Sequence, residues 1–283
     1  MESTNVLVAI KNLCKIKNRV LPLGKGNARN RINSVGESLE EFVKDLFCDS
    51  LKVVENKHIV HSKYFSYLGA KNSPPDIIIK GSDAIEVKKI ESLNSSLALN
   101  SSYPKDTLYA DSPLIQDDCR KCEDKPWVAK DFLYVVGVVK ESNLLSLWLV
   151  YGNCYAASKN TYERISNQIS LGLREMPDIE FSETNELGRV NEVDPLKITH
   201  LRVRGMWGIE NPNKVFNYLP LAKSENFSMN ALILEEKYNN LPKVDRDNLE
   251  KLVGDELKIK DVQIKSPKNP ANILNAKLIT MEK

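Results

Sequence analysis

Pro74-Pro75-Asp76-Ile77-Ile78-Ile79-Lys80-Gly81-Ser82-Asp83-Ala84-Ile85-Glu86-Val87-Lys88 is the stretch on which the reading of this chain turns. Three isoleucines, a turn of Gly81-Ser82-Asp83 and a second apolar run with alternating charges predict two strands, Asp76 to Lys80 and Ala84 to Ile90, joined as a hairpin. A strand has a side-chain period of two, so Glu86 and Lys88 share one face while Ile85 and Val87 share the other and pack inward. The return of the hairpin brings the second strand alongside Asp76. Two carboxylates and one ammonium can thus meet at one place. That is the set needed to hydrolyse a phosphodiester: ligands for a divalent cation, an activated water and a positive group near the developing charge. Asp76, Glu86 and Lys88 are the candidate catalytic residues. Mg²⁺ suits two carboxylates plus a phosphate, because it takes oxygen ligands and keeps several waters. Lys88 would orient or help deprotonate the attacking water, or stabilise the developing charge. The competing reading is a surface hairpin bearing a solvated charge ladder of Lys80, Glu86 and Lys88.

Upstream, Gly36 to Cys48 has the clearest helical period, with Leu39, Phe42, Val43, Leu46 and Phe47 at i, i+3, i+4, i+7 and i+8. Glu40 borders this apolar arc and Glu41 points to the opposite side, so Glu40 can reach a cleft beside the core. The metal-side set is therefore Asp76, Glu86, Val87 and Glu40. Residues 4 to 20 predict a basic helix, and Leu21 to Ser34 a loop. Downstream, Phe132 to Val139 and Leu144 to Tyr151 predict a second, more deeply buried hairpin through Lys140 to Asn143. Asn160 to Leu173 predicts a helix with Tyr162, Ile165 and Ile169 inward, His200 to Met206 a strand, and Asp247 to Leu257 a late helix. Helices and short strands interleave without a clear linker or repeat. The expected class is α/β or α+β with a mixed central sheet, as one domain over residues 1–283 with a basic segment at 1–35 and a catalytic core at about 36–155.

The composition of the 283 residues, 42% apolar and 28% charged, is that of a globular chain. Its longest apolar run, Phe132 to Val139, is far short of the roughly 20 residues a membrane span needs. The start lacks the basic and apolar blocks of a secretory signal, which places the protein in the cytoplasm as an expectation. Net charge is +2, yet Ser3 to Gly36 contains no acidic residue and has Lys11, Lys15, Lys17, Arg19, Lys25, Arg29 and Arg31. Such segregation is either an electrostatic footprint for a polyanion or a solvated basic face. The candidate DNA contacts are Asn100, Ser101, Ser102 and Lys105 in a polar loop after the catalytic strand, Arg202 and Arg204 on one face of a strand, and Lys89 and Arg31. The loop can read base edges or hold phosphates, and paired arginines read guanine, unless that strand is only an exposed basic edge. Trp207 is expected in the core. Cys119-x-x-Cys122 has zinc-ligand spacing, but with no second pair nearby the two read as plain thiols, and the odd, scattered set of five cysteines argues against disulfides.

Several longer stretches resemble the NgoPII family of type II restriction endonucleases: Gly36 to Phe47, Phe65 to Gly69, Pro74 to Asp76 with Gly81 to Glu91, Leu97 to Lys105, Glu186 to Asn191, and Leu201 to Pro212. The resemblance implies a PD-(D/E)xK fold, Mg²⁺ dependence, homodimeric action and the double-stranded DNA target GGCC. It maps the catalytic set onto Asp76, Glu86 and Lys88, with Glu40 as an accessory carboxylate. A companion DNA methyltransferase, protecting the same site in the host, is implied too. The alternatives are a repair or structure-selective nuclease on the same fold, and a DNA-binding protein without catalysis.

Overall fold

The computed structural model describes residues 3–16, 28–53, 55–69, 73–100 and 102–283, with the backbone alone at 28–36. Its centre is the predicted pair of hairpins. Strands β1 (Phe65–Leu68), β2 (Ile77–Ile79) and β3 (Ala84–Ile90) form an antiparallel run, in which Ile77 faces Ile85 and Ile78 faces Ala84. The excursion that follows holds β4 (Leu97–Asn100) and β5 (Thr107–Tyr109). Next come β6 (Ala129–Lys140) and β7 (Asn143–Tyr151), antiparallel to each other, with β6 parallel to β3. A parallel pair cannot be closed by a tight turn, so the chain from Glu91 to Val128 must cross over between β3 and β6. This crossover brings the Ser102–Lys105 loop back over the site.

Beyond β7 lie the short strands β8 (Gly188–Val190), β9 (Leu201–Val203) and β10 (Trp207–Ile209), then β11 (Ser228–Leu234), β12 (Leu257–Lys265) and β13 (Ile273–Glu282). The main sheet runs β1-β2-β3-β6-β7-β11-β13-β12, with β5 on β6; β4 pairs with β10, and β8 with β9. Parallel and antiparallel pairs are mixed, as the α/β reading expects. The terminal hairpin of β12 and β13 was not foreseen, and the helix expected at Asp247 to Leu257 is corrected: it spans Lys243–Glu250, and Leu257 already belongs to β12.

Two helices at the start are α1 (Val6–Cys14) and α2 (Ala28–Cys48). Leu39, Val43, Leu46 and Phe47 of α2 are buried, as their spacing requires. Two expectations fail here. α2 begins within the segment read as a loop, and α1 is a core helix with Val6, Leu7, Ala9, Ile10 and Leu13 buried. Within α1 the one basic residue is Lys11, so this helix cannot be a broad basic face. Lys17, Arg19 and Lys25 lie outside the described residues. Among the described residues no helix is long and apolar enough to cross a membrane.

The remaining helices are α3 (Lys57–Tyr64), α4 (Asp117–Arg120), α5 (Gly152–Tyr155), α6 (Lys159–Arg174), α7 (Pro212–Val215), α8 (Glu235–Asn240) and α9 (Lys243–Glu250). The inward face expected of α6 holds at Tyr162, which is half-buried and stacks on Tyr103, and fails at Ile165 and Ile169, which are exposed; no residue of the helix is fully buried. Together with β8 and β9, α6 forms an arm that also exposes Leu196, Ile198 and Leu201. A helical period therefore identified the helix but not what it packs against.

Polar groups from distant elements hold the β2–β3 turn. The Tyr151 hydroxyl donates to Asp83 Oδ2 at 2.6 Å, and Lys237 of α8 donates to Asp83 Oδ1 and Asp131 Oδ2, both at 2.7 Å. On the other side Gly81 N–H donates to both oxygens of Glu123, which also pairs with Lys130 at 2.6 Å. Gly81 itself has φ +65°, a conformation that suits glycine. Asp83 is 2% exposed, so removing its cation would strand a buried charge. Lys237→Met is expected to lower unfolding stability by about 3 kcal/mol in urea titrations. A loss below about 1 kcal/mol would place this pair with ordinary exposed ion pairs.

Candidate active site

Asp76 stands one residue before β2, and three main-chain bonds fix it. Its N–H donates to Ile85 O at 3.0 Å, its carbonyl accepts from Gly69 N–H at 2.6 Å, and its Oδ2 accepts from Val87 N–H at 2.7 Å. The last bond ties the Asp76 side chain to the backbone of β3 at Val87, the residue between Glu86 and Lys88. Gly69 is needed for this approach, because a Cβ there would lie 2.3 Å from Pro75 O. Any side chain at position 69 would push the Asp76 backbone away.

Glu86 is buried, at 8% exposure, and its Oε1 accepts from Lys88 Nζ at 2.6 Å. Its other oxygen, Oε2, is buried and has no hydrogen-bond partner. An orphaned carboxylate oxygen in a recess is costly unless a cation or donor arrives. Burial raises the Asp76 carboxyl, and the charge of Glu86 raises it further; Lys88 and the Val87 N–H oppose them, and the balance is pushed up to about 7. For Lys88, burial pulls the ammonium down, but Glu86 and Asp76 outweigh it and hold the group above its ordinary range. Glu40 adds negative potential at both Asp76 and Lys88, so α2 delivers it to the edge of the site. Its own partner is Lys44, at 2.7 Å. This donor set fits a hard divalent cation: Asp76, the free Glu86 Oε2 and, from its main-chain carbonyl alone, Val87, with Glu40 beyond them.

The loop expected to grip DNA is only partly a loop. Leu97 to Asn100 is β4, paired with β10, and Asn100 is exposed with φ +52°. Ser101 lies outside the described residues, as does the side chain of Arg31. Ser102 is half-buried, and Lys105 is 4% exposed, so Lys105 is no surface lysine. Tyr103 stacks on Tyr162 at 5.6 Å, and both meet Trp207 edge-on, at 6.5 and 5.5 Å. Trp207 is thus half-buried in an aromatic cluster between β4 and α6. Lys89 is mostly covered and pairs with Glu91 at 3.3 Å.

Arg202 and Arg204 are exposed on β9 and just after it, yet both are held by one carboxylate. Arg202 Nε donates to Glu186 Oε2 at 2.9 Å, and Arg204 binds Glu186 Oε1. Hydrogen bonds from the two guanidiniums hold the Glu186 carboxyl down at about 2. Leu201, at the start of the same strand, is 54% exposed. At the two cysteines, burial pushes the Cys119 thiol up to about 12 and also raises Cys122, which opposes the thiolate that zinc requires. The His/Cys/Asp/Glu cluster that the described residues do bring within 4.8 Å is Glu41, Asp45 and His61. Lys57 already occupies Asp45 Oδ2, and Ser50 donates to Oδ1 at 2.6 Å, so this cluster carries its own counter-charge.

The NgoPII restriction endonuclease family model matches residues 4–265, from α1 into β12. The chain belongs to this family. It is 48% identical over 280 residues to the type II restriction enzyme NgoPII of Neisseria gonorrhoeae, covering 98% of this chain and 99% of that one. No solved structure matches. Family membership makes the chain a restriction endonuclease, and restriction endonucleases typically use divalent metal ions. The hairpin that sequence reasoning singled out is the place where the structure gathers acids around an orphaned oxygen.

Two residues escaped the sequence reading. Gly69 was noticed only as part of a resembling stretch, though a glycine after a strand signals close backbone approach. Tyr134 sits on β6 opposite Glu86 and accepts from Lys105 N–H at 2.7 Å. Nothing in an unbroken apolar run marks which residue faces the site.

A carboxyl raised in the fold contributes stability below its ordinary range, here 3.8, and that contribution is lost as pH rises through about 7. Asp76→Asn imitates the protonated form. Without metal, the variant is expected to melt higher than the parent at about pH 8 and to converge with it near pH 4. Parallel melting curves across that range would rule out a buried, mutually repelling carboxyl pair.

Proposed function

We propose that the chain is a Mg²⁺-dependent type II restriction endonuclease that cuts duplex DNA at GGCC, acting as a homodimer through Asp76, Glu86 and Lys88. The observation that bears most of this reading is the buried, unpartnered Glu86 Oε2 beside a raised Asp76 carboxyl, since both oppose an empty site and favour a bound cation. Asp76 and Glu86 hold the cation, with the Val87 carbonyl alongside and Glu40 adding negative potential. When bound, Mg²⁺ supplies Lewis-acid polarisation of the scissile phosphate. Lys88 is held positive by Glu86 in the metal-free chain. That favours a role in orienting the attacking water and balancing negative charge over a role as the base that deprotonates it. GGCC rests on the resemblance, and so does the companion methyltransferase. Arg202 and Arg204 remain the proposed guanine readers, with Glu186 fixing their orientation until DNA competes for them.

A two-fold target suits a two-fold dimer, because each protomer then cuts one strand in an equivalent geometry. The arm of α6, β8 and β9 supports this. Leu196 and Ile198, between β8 and β9, are 76% and 73% exposed. Exposed apolar side chains of this size suit a second copy of the chain.

Digestion of DNA of known sequence with Mg²⁺ is expected to give discrete fragments whose ends map to GGCC, and none with EDTA. Ends at flaps or mismatches would favour a structure-selective nuclease instead. Lys88→Ala is expected to lower the single-turnover rate at least about hundredfold while binding persists. For the arm, Leu196→Asp with Ile198→Asp is expected to convert a sedimenting dimer into a monomer; an unchanged sedimentation coefficient would move the interface elsewhere.

A further inference from the structure

Lys105 is a buried lysine, 4% exposed, with no carboxylate partner among the described residues. Its side chain lines the same small cavity as Glu86, together with Pro74, Ser102 and Tyr134. The ammonium donates to Ser102 Oγ and, at 3.2 Å, to Tyr103 O, and lies 4.8 Å from the centre of the Tyr103 ring; all three partners are neutral. It forms no ion pair with a described carboxylate. Burying an ammonium on such terms is unfavourable, and desolvation accordingly pulls this one down to about 8, against the opposing charge of Glu86.

The surrounding structure holds the residue there. Lys105 N–H donates to the Tyr134 hydroxyl at 2.7 Å, and Tyr134 is itself fully buried on β6, directly opposite Glu86 on β3. From the other side Gly152 lets the loop approach: a Cβ there would stand 2.2 Å from Lys105 O. The backbone is therefore clamped between β6 and α5, and the side chain lines the cavity it shares with Glu86. Fixing an under-neutralised charge at that point is destabilising for the metal-free chain, and it makes sense only if an anion arrives.

We infer that Lys105 is a second catalytic cation, which contacts a non-bridging oxygen of the scissile phosphate from the cavity it shares with Glu86. The inference rests on the proposed reaction at Asp76 and Glu86 and adds a residue to it. Ser102 and the Tyr103 carbonyl are the resting partners of the ammonium, and the phosphate oxygen replaces them. No proton needs to move: the lysine acts as a fixed positive donor whose attraction grows as negative charge accumulates on the phosphorus oxygens.

The test replaces the charge and keeps the volume. Lys105→Met is compared with the parent and with Lys105→Arg in single-turnover cleavage with Mg²⁺, in DNA binding with Ca²⁺, and in thermal melting without metal or DNA. Lys105→Met is expected to cut about a hundredfold more slowly, to bind DNA within a few-fold of the parent, and to melt higher, since a buried charge has been removed. Lys105→Arg is expected to recover part of the rate. Cleavage within a few-fold of the parent would overturn the inference, and so would a loss of cleavage accompanied by a lower melting temperature, which would make Lys105 a structural strut. A parent enzyme that fails to cut with Mg²⁺ would instead sink the reading of the site on which this rests.

Discussion

The bond from Val87 N–H to the Asp76 carboxylate is the constraint from which the rest of the site follows. It is a side chain just before one strand gripping the backbone of the next, so it couples the register of the β2–β3 hairpin to the orientation of a candidate catalytic acid. A slip of one residue would turn Glu86 and Lys88 into the core and bring Ile85 and Val87 to the cavity. Ile85, fully buried opposite Ile77, makes that slip expensive, because it would exchange places with a charged neighbour. Hydrophobic burial therefore sets the register, and the register sets the chemistry. The clamps on the turn, Glu123 and Lys130 from one side and Tyr151 and Lys237 from the other, resist the same slip from the far end of the hairpin.

The hairpin was legible because its signal is local: a period of two, a turn at Gly81-Ser82-Asp83, and acids interleaved with isoleucine and valine. Helix α2 and the β6–β7 hairpin were legible for the same reason. What escaped depended on distance along the chain. β11 joins β7 in parallel and β13 in antiparallel fashion, pairings that no local pattern encodes. α1 read as basic because the count of lysines and arginines dominated, whereas its own nine residues are mostly apolar and were destined for the core. α6 shows the reverse error: an amphipathic period says that one face seeks cover, not that the same protomer provides it.

The candidate site divides along the same line. Asp76, Glu86 and Lys88 could be assigned together because strand geometry relates them within thirteen residues of sequence. Glu40 could be placed beside them from its position on a helical wheel. Lys105 was read as a DNA contact in a polar loop, and its burial follows from Tyr134 and Gly152, residues 29 and 47 positions away. Arg202 and Arg204 were visible as a pair, but the carboxylate that holds them, Glu186, enters only through the pairing of β8 with β9.

Charge explains why the site tolerates so much unfavourable burial. Fully ionised, Asp76 and Glu86 balance Lys88 and Lys105, and Glu40 is balanced by Lys44, so the metal-free cavity is neutral overall but strained in detail: one carboxyl raised, one ammonium lowered, one oxygen unpartnered. Under the proposed roles, binding a divalent cation leaves the cavity with two surplus positive charges. A phosphodiester in its ground state brings one negative charge, and the pentavalent arrangement through which it is displaced brings two. The cavity is thus matched to the charge of the transition state and exceeds that of the substrate, which is the condition under which electrostatic binding accelerates a reaction instead of merely tightening the complex. The instability of the empty site is the other side of that match, because groups arranged for a charge that is not yet present cannot also satisfy one another.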